Sequence, residues 1–134
     1  MTSRPVVLDT NVVVAAGFNP RSASAKIVDA VGQGRLRMVW NDATRCEIEH
    51  ILGRIPPLRA HAVAVLFRPE DRFAGETDPG RFAAIPDPDD RTFAALAHAV
   101  GAVLVTSDDH LLGYSGPLEL IVLTPGAFWS RARR

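Results

Sequence analysis

Short apolar runs of β character alternate with stretches of helical spacing along the whole chain. The run from Pro5 to Leu8, closed by the polar Asp9-Thr10-Asn11, predicts a first buried strand. Ser22 or Ser24 can cap a helix whose apolar positions Ile27, Val28 and Val31 recur at helical spacing and which Gly32 and Gly34 end. Arg37 to Trp40 predicts a short second strand. Asn41 or Asp42 then caps a helix striped by Ile48, Ile51, Leu52 and Ile55 and stopped by Pro56 and Pro57. A further helix is expected over Leu58 to Phe67, with Ala62, Val65 and Leu66 inward. The Gly-, Pro- and charge-rich segment from Arg68 to Pro86 reads as a loop carrying one short strand around Arg81 to Ile85. Asp87 caps the next helix, Pro88 occupies its first turn, Phe93, Leu96, Ala97 and Val100 form its apolar face, and Gly101 closes it. Val103 to Thr106 predicts a central strand, Asp109 to Leu112 a helical turn, and Leu120 to Leu123 the last strand. Thr124-Pro125 opens a C-terminal helix containing Phe128 and Trp129. Such alternation argues for an α/β fold with a mainly parallel sheet.

With 134 residues, 47% of them hydrophobic, the chain has the size of a single domain spanning 1–134 and can bury one substantial core. No apolar stretch reaches the roughly 18 to 20 residues of a membrane span, and the N-terminus shows no signal-peptide pattern. A cytoplasmic protein is expected. The lone Cys46 cannot form an internal disulfide, so redox chemistry is not expected. Fifteen basic residues balance fifteen acidic ones, which removes any global attraction to nucleic acid. What basic character there is lies in arginine. Arg45, Arg54, Arg59, Arg68 and Arg72 crowd the middle, and Arg131, Arg133 and Arg134 form a tail. Guanidinium forks suit phosphate oxygens, although a solvated surface explains any single one equally well.

The candidate chemistry is acidic. Asp9 and Asp108 fall at the carboxyl ends of expected strands, the edge where open α/β sheets bind ligands. Glu47 and Asp90 lie on helices that can reach the same place, Asp90 on a side made shallow by Ala94 and Ala97. Two carboxylates about 4 Å apart repel by roughly 4 kcal/mol at an effective dielectric of about 20, so convergence of these four implies a bound cation or shifted pKa values. All-oxygen donors favour Mg²⁺ or Mn²⁺, with Thr10 and Asn11 available to orient Asp9 or hold a coordinated water. Each acid also has a plainer reading. Asp9 can cap the following helix, and the Asp87-Pro88-Asp89-Asp90 run can serve a helix dipole. Glu47 and Glu49 flank the same apolar stripe, so periodicity does not choose between them. Thr106, Ser107, Asp108 and Asp109 offer one ligand and one cap, with Asp109 expected as the cap of the short helix. His110 reads as a surface residue, and no His pair has zinc-site spacing.

Taken in order, Val-Leu-Asp9-Thr10-Asn11, the helical Glu47, Asp87-Pro88-Asp89-Asp90 with Ala94, Ala95 and Ala97, and Leu-Val-Thr106-Ser107-Asp108-Asp109 resemble the PIN-domain nucleases. Thr124-Pro125 followed by Phe128 is similar to the closing motif of the toxin-like subgroup. The resemblance implies a three-layer α/β/α sandwich with a central parallel sheet. It further implies an Mg²⁺- or Mn²⁺-dependent endoribonuclease site in which Asp9, Glu47, Asp90 and Asp108 hold the cation. Asp87, Asn11, Thr106, Ser107 and Asp109 take supporting positions. His110 departs from an acid often found there. Also implied are an RNA substrate, a cognate antitoxin protein, a homodimer, and the toxin role in a bacterial toxin–antitoxin pair. The alternative is an RNA- or protein-binding module on the same fold with little turnover. Haloacid-dehalogenase-like phosphatases and receiver domains fit poorly: the first would carry Asp where Asn11 stands, and the second needs a late lysine where Lys26 is the only one.

Overall fold

The computed structural model describes residues 4–55 and 64–132. Strands β1 (Val6–Leu8), β2 (Val103–Val105) and β3 (Val122–Leu123) form a parallel sheet in the order β1-β2-β3. Every residue of β1 and β2 is buried. Because successive strand side chains point to opposite faces, burial of all of them requires cover on both sides, which is the three-layer arrangement. Helices α1 (Thr10–Phe18), α2 (Ala23–Gly32), α3 (Asp42–Gly53), α4 (Pro88–Val100), α5 (Asp109–Leu112) and α6 (Pro125–Ala132) supply that cover.

Local chemistry sets the helix ends. Ser22 rather than Ser24 caps α2, accepting from the Ala25 N–H. Asn41 caps α3 in a reciprocal box with Thr44, which satisfies two otherwise orphaned amides. Gly101 ends α4 at φ 67°, a left-handed conformation that only glycine adopts without steric cost. The buried Ala94, Ala95 and Ala97 of α4 keep it thin where it packs on β1 and β2.

Several expectations need correction. Residues 37–40 form no named strand: Met38 and Trp40 make isolated parallel bridges to Val6 and Arg72. The segment turns at once into the α3 cap, so the ladder cannot propagate. No strand occupies 81–85, where a 3-10 turn over Pro79–Phe82 buries Phe82 and Ile85 instead. Residues 58–63 of the helix expected over 58–67, Arg59 and Ala62 among them, lie outside the described residues, as do Pro56, Pro57, Arg133 and Arg134. Its remainder is a 3-10 turn, Ala64–Leu66, in which Leu66 is buried but Val65 is exposed. The last strand is shorter than expected, two residues rather than four.

Candidate active site

Register builds the centre of the site. Pairing of Leu8 with Val105 brings the next residues of both strands side by side, and the Asp9 N–H bonds the Val105 carbonyl at 3.1 Å. Asp9 holds the N-cap position of α1, yet its carboxylate caps no helical amide. Instead the Thr106 hydroxyl donates to Asp9 Oδ2 at 2.7 Å, a contact between residues 97 apart in sequence. The same hydroxyl oxygen accepts the Asp108 N–H at 3.0 Å. Thr106 is therefore the link between two strand-end acids. Burial pushes the Asp9 pKa up, the Thr106 hydrogen bond opposes that, and the charges of Asp108 and Asp87 push it further up.

Asp90 enters from the first turn of α4, which Asp87 caps by accepting the Asp89 N–H. It is 9% exposed, and burial with the charges of Asp9, Asp108, Asp87 and Asp89 drives its pKa up to about 7. Among the described residues, the charges acting on it are all carboxylates. Glu47, half-buried on α3, is also raised, by burial first and then by Asp89, with His50 opposing and Asp87 and Asp9 adding to it. Glu49, the other candidate on that helix, is exposed and paired with Arg45 at 3.2 Å. The ambiguity on α3 is thus resolved: Glu47 sits in the acidic field, and Glu49 pairs with Arg45 one turn away on the same helix.

Other expected positions fall differently. Asp108, not Asp109, caps α5 through the His110 N–H at 2.8 Å, because the residue preceding the first helical turn is the one with extended backbone. His110 Nδ1 lies 3.6 Å from Asp108 and is exposed. Asn11, Ser107, Asp109 and Asp87 are all exposed at the rim. Asp89 was missed as a site residue. It acts on both Glu47 and Asp90, but in sequence it is indistinguishable from a helix-dipole acid.

The expected convergence into one ligand sphere also needs correction. Among the described residues, no three His, Cys, Asp or Glu side chains come close enough to form a ready cation cage. Asp9 and Asp108 are tethered through Thr106 and the α5 amide, while Asp90 and Glu47 arrive on separate helices. They share an electrostatic field rather than a common point. The residues nonetheless suit a hard divalent cation: the donors are all oxygen, their mutual repulsion is uncompensated, and the buried Thr10 Oγ1 lacks a partner.

The family profile for the PIN domain matches residues 5–110, which takes in β1, α4, β2 and all four acids. The chain belongs to the PIN-domain family. PIN domains are generally nucleases and generally use divalent metals. No curated protein matches the chain. Among solved structures, that titled the crystal structure of PAE2754 from Pyrobaculum aerophilum is similar in fold, with a TM-score of 0.57 and 17% identity over 98% of each chain. No helix among the described residues is long and apolar enough to cross a membrane.

Proposed function

We propose that this PIN domain is an endoribonuclease that hydrolyses RNA phosphodiester bonds with Mg²⁺ or Mn²⁺, as the toxin of a bacterial type II toxin–antitoxin pair. The observation that carries the nuclease reading is geometric: the strand-end acids Asp9 and Asp108 are tied together through Thr106, Asp9 and Asp90 are buried, and each feels further carboxylates. Buried acids without a counter-charge weaken a fold, and a cation-dependent reaction on a polyanion gives them a use. Asp9 and Asp108, which Thr106 links, would hold the cation directly, with Asp90 and Glu47 acting on it through the shared acidic field. When bound, it lowers the pKa of water and neutralises charge growing on the phosphoryl oxygens.

The protein's own groups set the stage for that chemistry. Thr106 fixes Asp9 by donating to Oδ2, and the Thr10 N–H acts on the same carboxylate. Asp108 Oδ1 accepts the His110 N–H of α5, which holds that carboxylate at the end of β2. In the metal-free protein, burial and its acidic neighbours push the Asp90 pKa up to about 7, and a bound cation would favour its ionised form, the one able to orient a water. Without a cation the same field repels RNA. Cleavage is therefore expected to vanish in EDTA and to return with Mg²⁺ or Mn²⁺. Digestion of defined RNAs with metal titration is the test, and a chelator-insensitive nuclease would overturn the reading.

The toxin role rests on the similarity of Thr124-Pro125 and Phe128 to the closing motif of that subgroup, and with it come a cytoplasmic location, a homodimer and an antitoxin that covers the acidic groove. Expression alone is expected to arrest growth. Equal growth with wild type and Asp9→Asn would remove the toxin role. The separation of the acids favours a second reading, an RNA-binding module with little turnover. RNA retention with no cleavage in either metal would decide for it.

A further inference from the structure

We propose that Thr10 is a positioning residue of this site, its hydroxyl hydrogen-bonding a ligand oxygen held against Asp9. The inference rests on the metal-dependent nuclease reading and adds to it a residue outside the acidic set. Thr10 is buried, 7% exposed, and its Oγ1 is the side-chain polar atom that burial leaves without a hydrogen-bond partner among the described residues. A buried hydroxyl left unpaired costs about 1–3 kcal/mol, so its retention calls for a partner that the protein does not supply.

Neither ordinary outlet is used. A helical threonine usually bonds the carbonyl three or four residues back. For Thr10, the first residue of α1, those carbonyls belong to β1, and the Val6 carbonyl already accepts from Val39 N–H at 2.9 Å. Nor is Thr10 a cap, since its neighbour Asp9 takes that position. Its surroundings instead point to the site. Its own backbone N–H acts on the Asp9 carboxylate, lowering that pKa against burial, so residue 10 stands directly at the acid. The adjacent Asn11 is exposed, which makes Thr10 the buried polar group of the Asp9-Thr10-Asn11 run beside the acid.

The partner chemistry is an oxygen that can accept or donate one hydrogen bond: a water associated with the cation, or a phosphate oxygen of RNA. Thr10→Val keeps the shape and deletes the hydroxyl, while Thr10→Ser restores it. For Thr10→Val without metal, an unchanged or higher melting temperature is expected, because an unsatisfied group is removed. Mn²⁺-induced thermal shift and binding of a short RNA in Ca²⁺ are then measured on wild type and both variants. A smaller Mn²⁺ shift with RNA affinity kept assigns the water; an RNA affinity about 3- to 10-fold weaker with the Mn²⁺ shift kept assigns the phosphate. Rescue by Thr10→Ser is expected in either case. If Thr10→Val responds to Mn²⁺ and to RNA as wild type does, this proposal falls alone. If it does not fold, Thr10→Ser and Thr10→Ala decide: equal responses in both, matching wild type, also overturn it. A wild type that takes neither Mn²⁺ nor RNA overturns the functional reading and this proposal together.

Discussion

Two acid-bearing regions of this molecule face opposite electrostatic fates. Around the start of α3, Asp71 pairs with Arg37 at 3.2 Å, Asp42 with Arg72 at 2.7 Å, and Glu49 with Arg45 at 3.2 Å. Arg45 also stacks over Trp40 and Phe67, tying that network to the core. The Arg72 guanidinium holds the Asp42 carboxyl below its usual range. At the carboxyl edge of the sheet, Asp9 and Asp90 are about as deeply buried as Asp71, and among the described residues the charges that act on Asp90 are all negative. The first region is an assembly of satisfied charges that supports the fold. The second keeps its charges unsatisfied, and a site built against its own stability in this way marks function rather than structure.

The contrast breaks most visibly at Asp9. Asp9→Asn retains an oxygen for the Thr106 hydroxyl but removes the charge, so RNA cleavage is expected to fall by roughly 10²-fold or more, read in a metal-supplemented digestion. Metal-free thermal stability should rise in the same variant. The opposite sign is expected across the molecule: Asp71→Asn strips a buried acid of its pairing with Arg37 and should cost about 1–2 kcal/mol in urea unfolding while leaving cleavage intact. A loss of cleavage there would erase the distinction between the regions.

Titration sharpens the comparison further. Asp90 has a folded pKa near 7 against an ordinary 3.8, so between those values the folded protein holds more protons than the unfolded chain. Its contribution is therefore best at low pH and is lost as pH rises through about 7. Metal-free stability should decline over that window, and Asp90→Asn should flatten the decline, as urea midpoints at pH 5.5 and 8 would report. The raised Asp9 and Glu47 act with the same sign. The smallest effect belongs to the exposed Arg72–Asp42 pair: Arg72→Ala should change the urea midpoint little, and less still in high salt.

Elements with strong local punctuation were readable from the sequence. The Asp87 cap, Pro88 and Gly101 bounded α4, and the apolar run after Gly101 marked β2, because caps, proline and glycine act within a few residues. Residues 37–40 and 81–85 were not, because a strand exists only where a neighbour completes its ladder, and short apolar runs do not encode that neighbour. The cap of α5 went to Asp108 instead of Asp109 for a related reason: a one-residue shift in where the helix begins is invisible to composition.

For the site, the chain by itself determined which residue types stand at the strand ends and helix starts, and so which acids were candidates. Only the tertiary structure decided which of them are left without a counter-charge. Glu49 finds Arg45 one helical turn away, but Asp71 finds Arg37 across 34 residues and Asp42 finds Arg72 across 30, while Asp9 finds the hydroxyl of Thr106 across 97. Coulomb and desolvation energies depend on separation and burial in space, and neither is a property of spacing along the chain.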